Sequence, residues 1–491
     1  MTEGESGSRA VISRRTVNDL QKLLGKANVI TDPGDLIAFE YDGTIDRGWP
    51  SAVVFPTTAE QVSGVVKIAA RDGLPIVPRG AGTGLSGGAL ATEGGIVLVM
   101  TRMKRILELD LENRIAVVEP GLVNLELSKA VAKHGLYYAP DPSSQKACTI
   151  GGNVAENSGG PHCLLYGVTT NHVLGLELVL ADGEIVRVGG WGRERPGYDL
   201  TGIVVGSEGT LAIATRICVR LLREQESVRT LLAIFDSVNA ASSTVSAVIR
   251  RGYVPAALEM IDRVCIKAVE PVLHCGFPLD AEAVLLIEVD GLNEFVDAAA
   301  SEIENLCSEF GAREVRQATT KAEREKLWAG RKGAFGAFGS LFPNYYILDG
   351  VVPRTQLMRI VDEIYAIGER YGFTVANVFH AGDGNLHPNI LFDERVPGAT
   401  EKVLEAGGEI LRLCTAAGGS LSGEHGIGLE KREYMPLTFS PADLAAMATL
   451  KAAFRSEPLL NPCKAFPAHA GCGEVGAGSH KAQPLAADYY V

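Results

Sequence analysis

The chain has 491 residues, more than one ordinary core uses, so two or three domains are expected. With 46% hydrophobic, 21% charged and 6% aromatic residues and no long polar tract, the composition is globular. A formal net charge of -13 leaves no basic surplus to neutralise phosphates, which argues against nucleic acid as a partner. The nine cysteines are scattered, odd in number and free of C-x-x-C. They read as reduced thiols of an intracellular protein, not as a disulfide frame, zinc ribbon or iron–sulfur site. No apolar signal region opens the chain, and no run approaches the roughly 18 apolar residues of a membrane span, so a soluble cytoplasmic protein is expected.

Residues 1–48 read as a polar tail and a turn-rich stretch, with regular structure starting at Ser51. SAVVFP is strand-like; Thr57 to Glu60 has the form of a capping box before Val62, Val65, Val66 and Ala69 at helical spacing. PIVPR and IVLVM are strands flanking a glycine-rich loop, RIAVVEPG is another, and a helix from Asn124 to Lys133 stops at Gly135. From 172 to 221 strands dominate, including IVVGSEGTLAIATRICVRL. These elements define a first domain over 49–225.

After about 225 strands and helices alternate as TLLAIFD, a helix from 237, AALEMID, a short helix, AVLLIEVDG, a helix from 293 and AREVRQ. That order predicts a ferredoxin-like sheet in a second domain, 226–425, extended by a strand YYILDGVVP, a helix from Arg354 and a hairpin around 374–392. A helical segment follows over 426–467, with a helix start at Ser440-Pro441-Ala442-Asp443, and an Ala/Gly-rich tail over 468–491.

PRGAGTGLSGGAL contains Gly82-Thr83-Gly84-Leu85-Ser86-Gly87, a formal G-x-G-x-x-G. A nicotinamide-type site needs that loop to open a helix, whereas ALATEGG and a strand follow here, so the Rossmann reading fails. What remains is a loop whose backbone N–H groups can wrap a diphosphate as a nest, with Arg79 adding charge; a ligand-free glycine hairpin is the bland alternative. Gly151-Gly152 with Gly159-Gly160, and VGSEGTLAI, are two further small-residue loops. Because glycine weakens regular structure, three such loops in one domain suit a long, two-ended ligand.

In the second half, Asp383-Gly384-Asn385 is a turn sequence between VANVFH and LHPNILF. Folding there sets His380 across from His387, with Asn389 on the same face as His387. Two imidazoles and an oxygen ligand, for which Glu424 in Ser422-Gly423-Glu424-His425-Gly426 is the natural candidate, make an open divalent-metal site. Each residue also has an ordinary reading as a hydrogen-bonded surface group. No H-E-x-x-H is present to support a zinc peptidase.

PRGAGTGLSGGA, DPSS with TIGGNVAENSGG, and GYDLTGIVVGSEGTL together resemble the FAD-binding domain of the vanillyl-alcohol oxidase / p-cresol methylhydroxylase type. The similarity runs on through WAGRKGAFGAFGSLFPNYYILDGVVPRTQL, HAGDGNLHPNI, SGEHGIGLEK and LLNPCKAF. These motifs resemble the branch that holds glycolate oxidase flavin subunits, D-lactate dehydrogenases and D-2-hydroxyglutarate dehydrogenase. The resemblance implies an α+β fold: a p-cresol-methylhydroxylase-type FAD domain, a ferredoxin-like substrate (cap) domain and a C-terminal helical segment returning to the FAD domain.

By resemblance, Pro78, Arg79, Gly80, Ala81, Gly82, Thr83, Gly84, Leu85, Ser86 and Gly87 hold the FAD diphosphate. Pro142, Ser143, Ser144, Thr149, Gly151, Gly152, Asn153, Ala155, Asn157 and Gly159, with Gly206, Ser207, Glu208, Gly209 and Ile213, line the rest. No histidine stands in 78–90, so non-covalent FAD is expected; Ala212 and Cys463 stand where relatives commonly have glycine. The resemblance makes His380, His387 and Glu424 ligands of a divalent metal, zinc or manganese, and Asn389 and His425 substrate contacts.

The implied reaction is the oxidation of a small D-2-hydroxy acid to the 2-oxo acid, with hydride passing to flavin. The metal acidifies the hydroxyl, His425 accepts its proton and Arg331 clamps the carboxylate. In hydroxyglutarate-type relatives a lysine before the strand aspartate holds the second carboxylate; here Ile347 occupies that place ahead of Leu348-Asp349, which favours glycolate or D-lactate. Alternatives are a D-2-hydroxyglutarate dehydrogenase, an ether-lipid (alkylglycerone-phosphate) synthase and a flavin-binding assembly subunit. With no iron–sulfur or haem motif, electrons must leave to a separate acceptor. The resemblance implies partner subunits, one of them iron–sulfur, which would set a cytoplasmic chain peripherally on the inner membrane.

Overall fold

The computed structural model describes residues 12–190 and 197–467. The expected tail over 468–491 and the first eleven residues lie outside them. Short Ile/Val runs bounded by proline and glycine build the first sheet, in the order Val29–Ile30, Ala52–Val54, Ile96–Val99, Ile76–Arg79. The last three strands are parallel, which requires a crossover; the helix Ala59–Asp72 supplies it, burying Val62, Val65, Val66 and Ala69. Its cap sits one residue later than the sequence reading. Thr58 Oγ1 accepts from Gln61 N at 3.3 Å and Gln61 Oε1 from Thr57 N at 2.8 Å, leaving Glu60 outside the box. The loop 80–95 joins adjacent parallel strands with no helix between them, as the rejection of a Rossmann site requires.

A second, antiparallel sheet has the order Ile106–Asp110, Ile115–Val118, Ile213–Arg220, Val173–Val179, Ile185–Gly189. The strand expected from Ile203 onward begins only at Ile213. Leu200–Val204 is a helix, because Asp199 caps it by accepting from Gly202 N at 2.9 Å. Regular structure also starts earlier than expected. Arg14–Leu24 is a helix capped by Ser13, burying Leu20 and Leu24 against Ala59–Asp72.

The cap sheet runs Ala312–Gln317, Ser227–Phe235, Ala283–Gly291, Ala257–Asp262, all antiparallel, which is the ferredoxin-like order of fourth, first, third and second strand. Both faces are covered. Leu231, Ala233, Phe235, Leu285 and Ile287 pack with helices Val238–Arg250, Asn293–Glu309 and Leu357–Tyr371. Leu232, Ile234, Val284 and Leu286 pack with Arg263–Leu273 and Lys321–Lys332. This double burial explains why the central strands read as continuous apolar runs. Thr374–His380 adds beside Ala257–Asp262, setting Glu259 opposite His380.

Two expectations about this region change. The strand Tyr345–Pro353 is broken at Leu348-Asp349. Asn344–Ile347 pairs with Pro388–Phe392, and Gly350–Val351 with Asn385–Leu386. In the hairpin, His380 faces Asn385 and Asn377 faces Pro388, so His387 is a diagonal neighbour of His380 on one face. The C-terminal segment lies on the first domain. Asn461 Nδ2 donates to the Gly88 and Glu208 carbonyls at 2.9 and 2.7 Å, and Lys464 Nζ to that of Leu90 at 2.8 Å. Cys463 is disulfide-bonded, so the expectation of reduced thiols fails there; Cys148, Cys163, Cys218, Cys265, Cys275, Cys307 and Cys414 are free.

Candidate active site

The three small-residue loops converge on one cavity of about 380 Å³. Its wall includes Pro78 to Leu85, Pro142 to Ser144, Thr149, Gly151, Gly152, Asn153, Ala155, Gly159, Ser207, Glu208, Gly209 and Ile213. Ser86, Gly87, Asn157 and Gly206 are not on that wall. Ser86 instead accepts from Leu429 N through its carbonyl at 2.8 Å, and its hydroxyl lies 3.3 Å from Glu156 Oε2. Asn157 ends the helix Ile150–Glu156 in a left-handed conformation and accepts from Thr170 N at 2.9 Å. Gly82, at φ +73°, leaves no room for a Cβ beside Arg79. Arg79 is 6% exposed, with Nη2 donating to the Tyr41 carbonyl at 2.8 Å and Nη1 to that of Ala89 at 3.4 Å. Its guanidinium therefore braces the loop, and burial lowers its pKa.

His380, His387, Glu424, His425 and Arg331 close the same cavity from the cap side. Glu424 Oε1 lies 3.1 Å from His380 Nε2 and 3.2 Å from His387 Nε2. The other nitrogen of each ring is committed. His380 Nδ1 donates to Glu259 Oε1 at 2.8 Å and His387 Nδ1 to the Leu348 carbonyl at 3.3 Å. Both Nε2 atoms are thereby aimed at Glu424, the arrangement in which outer partners orient metal-binding imidazoles. Burial opposes charge on His380, yet Glu259 and Glu424 hold its pKa well above the usual value. Burial likewise opposes charge on Glu424, yet His380 and His387 hold it well below. The space between the three groups calls for one positive charge, which a proton or a metal cation supplies.

Asp349, His387 and His425 also come together, but Asp349 is spent. Its Oδ2 accepts from Ser422 Oγ at 2.6 Å and from Gly423, Glu424 and His425 N at 3.1, 3.2 and 2.8 Å, with Lys431 Nζ at 3.3 Å. It fixes the 422–425 loop. His425 stacks on His387 with ring centroids 4.9 Å apart, and burial lowers its pKa to about 4, so the imidazole is neutral at pH 7. Its Nδ1 is buried without a partner among the described residues. Arg331, 1% exposed, donates from Nε to Glu259 Oε2 at 2.6 Å, while Nη1 is buried without a partner among the described residues. Asn389 does not reach the cavity wall; its Nδ2 donates to the carbonyls of His387 and Ala376 at 2.7 and 3.2 Å, bracing the strand behind His387.

Sequence reasoning missed Glu259, which holds both His380 and Arg331. The signal was a carboxylate in the middle of AALEMID, flanked by Leu258 and Met260 in a run otherwise fit for a core strand. It also missed Phe335 and Tyr345, stacked at 6.4 Å on the cap wall near Ile347.

A domain family described as "FAD binding domain" matches residues 50–189, and "FAD linked oxidases, C-terminal domain" matches 224–465. The glycolate oxidase subunit GlcD of Escherichia coli K12 is 47% identical over 90% of this chain and 89% of its own. The chain belongs to the FAD-linked oxidases. Among these relatives GlcD of Bacillus subtilis is 40% identical over 93% of this chain and 97% of its own. A D-lactate dehydrogenase of Archaeoglobus fulgidus is 35% identical over 90% and 98%. Solved p-cresol methylhydroxylase has the same fold, with a TM-score of 0.80 at 17% identity over 94% of this chain and 98% of that one. This FAD-linked oxidase is accordingly a flavoprotein oxidoreductase with a p-cresol-methylhydroxylase-type FAD domain. No helix among its described residues is long and apolar enough to cross a membrane.

Proposed function

We propose that this FAD-linked oxidase converts a small D-2-hydroxy acid, glycolate or D-lactate, to its 2-oxo acid. FAD would be held non-covalently by the glycine loops and a divalent cation, zinc or manganese, by His380, His387 and Glu424. The observation that carries the reading is the approach of two imidazole Nε2 atoms to one Glu424 oxygen, at 3.1 and 3.2 Å, on the wall facing the glycine loops. The glycolate oxidase and D-lactate dehydrogenase names of the relatives support the substrate class.

When bound, FAD supplies a two-electron acceptor and the cation a Lewis acid that lowers the hydroxyl pKa. The chain's own residues do the rest. Arg331 presents Nη1 to the substrate carboxylate, a charge-assisted contact in a water-poor site. His425, neutral at pH 7, holds the hydroxyl proton. The substrate gives up that proton and its C2 hydrogen with the bonding pair, becoming the 2-oxo acid.

Ile347, 6% exposed on the cavity wall, offers a second carboxylate no partner. This favours glycolate or D-lactate over 2-hydroxyglutarate, because an unpaired buried carboxylate costs several kcal/mol. Electrons then pass to a separate acceptor, through partner subunits that include an iron–sulfur protein; that the relative GlcD is a subunit of glycolate oxidase supports such partners. That assembly would hold a cytoplasmic chain against the inner membrane.

The deciding experiment is an anaerobic visible spectrum before and after glycolate or D-lactate, with and without chelator. Flavin bands should bleach with substrate and stay oxidised after chelation. Flavin that resists every 2-hydroxy acid would overturn the reading.

A further inference from the structure

Beyond the cavity, a second buried ionic cluster spans the two domains. His162, from the FAD domain, has Nδ1 2.9 Å from Asp141 Oδ2 and Nε2 3.1 Å from Glu288 Oε1 on the cap sheet. Asp141 also accepts from Lys332 Nζ at 3.0 Å. Glu288, 1% exposed, accepts from Arg324 Nη2 at 2.6 Å, Trp328 Nε1 at 2.7 Å and Thr230 Oγ1 at 2.9 Å. The His162 ring lies on Trp328 with centroids 5.2 Å apart.

The placement of these partners is what gives the cluster a role. Asp141 immediately precedes Pro142-Ser143-Ser144, which line the flavin cavity. Arg324, Trp328 and Arg331 share one face of the helix Lys321–Lys332, at positions i, i+4 and i+7. Glu288 stands opposite Ala257, two residues from Glu259, so both glutamates project from the same sheet face. One glutamate holds Arg324 and Trp328, the other Arg331 and His380. A continuous set of charge-assisted bonds thus runs from the flavin loop to the Arg331 helix; the His162–Glu288 and Asp141–Lys332 pairs both cross between the domains, and His162 is the member bonded to a carboxylate of each.

We propose that His162 is a positioning residue that sets the FAD domain in register with the cap, fixing the distance from flavin to substrate. Burial disfavours its charge, but Asp141 and Glu288 raise its pKa to about 10, so the bridging imidazolium persists throughout the neutral range. The proposal rests on the reading that the substrate lies against Arg331. Misplacing reacting groups by about 1 Å costs up to about 100-fold in rate, so loss of register should appear in the chemical step.

The test compares wild type with His162→Gln and with Arg324→Gln, which loosens Glu288 from the solvent side and is the milder change. Two measurements are made: stopped-flow flavin reduction by D-lactate or glycolate, and hydrogen exchange of the folded holoprotein. We expect H162Q to keep its FAD and its substrate dissociation constant while the reduction rate at saturation falls about tenfold or more. R324Q should move in the same direction by less. Amide exchange should rise together in the 141–144 loop and the 324–332 helix. A reduction rate within about twofold of wild type, or exchange changes confined to the 162 loop, would overturn the proposal. If wild type is not reduced by any 2-hydroxy acid, the functional reading fails, and the exchange arm still decides the clasp. If H162Q does not fold, R324Q decides it by the same criteria.

Discussion

Glu259 donates nothing and accepts twice: His380 Nδ1 lies 2.8 Å from Oε1 and Arg331 Nε lies 2.6 Å from Oε2. One buried carboxylate thereby orients a candidate metal ligand and a candidate substrate clamp. Glu259→Gln keeps the shape but removes the charge, leaving the 1% exposed Arg331 without its anionic partner. Breaking such a buried pair destabilises by about 3–5 kcal/mol. Loss of the outer partner of a ligating imidazole lowers metal affinity by about 10- to 100-fold. Denaturant unfolding and competition with a chelator measure the two effects; unchanged metal affinity would refute the ligand role of His380.

Asp349 is expected to act purely as an organiser. Asn in its place offers one acceptor oxygen where the backbone of 422–425, Ser422 and Lys431 need an anion. Lys431, fully buried, would then carry an uncompensated charge, so Asp349→Asn should cost about 3–5 kcal/mol. The 422–425 loop should loosen before the cap sheet does, as hydrogen exchange would resolve.

The glycine loops were legible because a cradle for a large ligand leaves its mark locally, as runs of small residues that no core needs. The strand order of the cap was legible from alternating elements for the same reason. Glu259, Asp349 and His162 were not singled out, because each role depends on a partner far along the chain, 121 positions away for Glu259, 76 for Asp349 and 126 for His162. A carboxylate in an apolar strand announces a buried charge but not its partners. Asn389 and His387 illustrate the converse. Period-two reasoning placed them on one face, yet Asn389 spends its amide on strand carbonyls behind the cavity. Ile203 and Val204 read as the start of a strand, and the Asp199 cap places them at the end of the helix Leu200–Val204.

His162 makes stability depend on pH in a direction that can be worked out. Burial would lower its pKa, but Asp141 and Glu288 raise it from 6.5 to about 10 in the folded protein. Lys332, Arg324, Asp290 and the Trp328 ring also face this cluster. A raised folded value means the native state binds more protons between the two values, so its contribution is complete below pH 6.5 and lost as pH rises through about 10. Unfolding free energies of wild type and H162Q should therefore converge as pH is raised from 7 towards 10. A constant difference across that range would show that the imidazolium is not held.

Under the proposed function, Ile347 carries the choice of substrate. It lies on the cavity wall beside Tyr345, 6% exposed, and is followed at Asp349 by the carboxylate that fixes the 422–425 loop. Ile347→Lys places an ammonium where a second substrate carboxylate would reach. In the wild-type wall that carboxylate loses its hydration and gains no partner, which penalises 2-hydroxyglutarate relative to lactate. In the variant the same penalty falls on the lysine when the small substrate is bound, because its charge is then unpaired. Discrimination should consequently move from both sides, and the ratio of kcat/KM for D-2-hydroxyglutarate to that for D-lactate should rise about tenfold or more. Competition kinetics with both acids in one assay reads this ratio directly. A variant that loses lactate turnover without gaining hydroxyglutarate turnover would place the distal end of the substrate elsewhere, against the Phe335–Tyr345 pair.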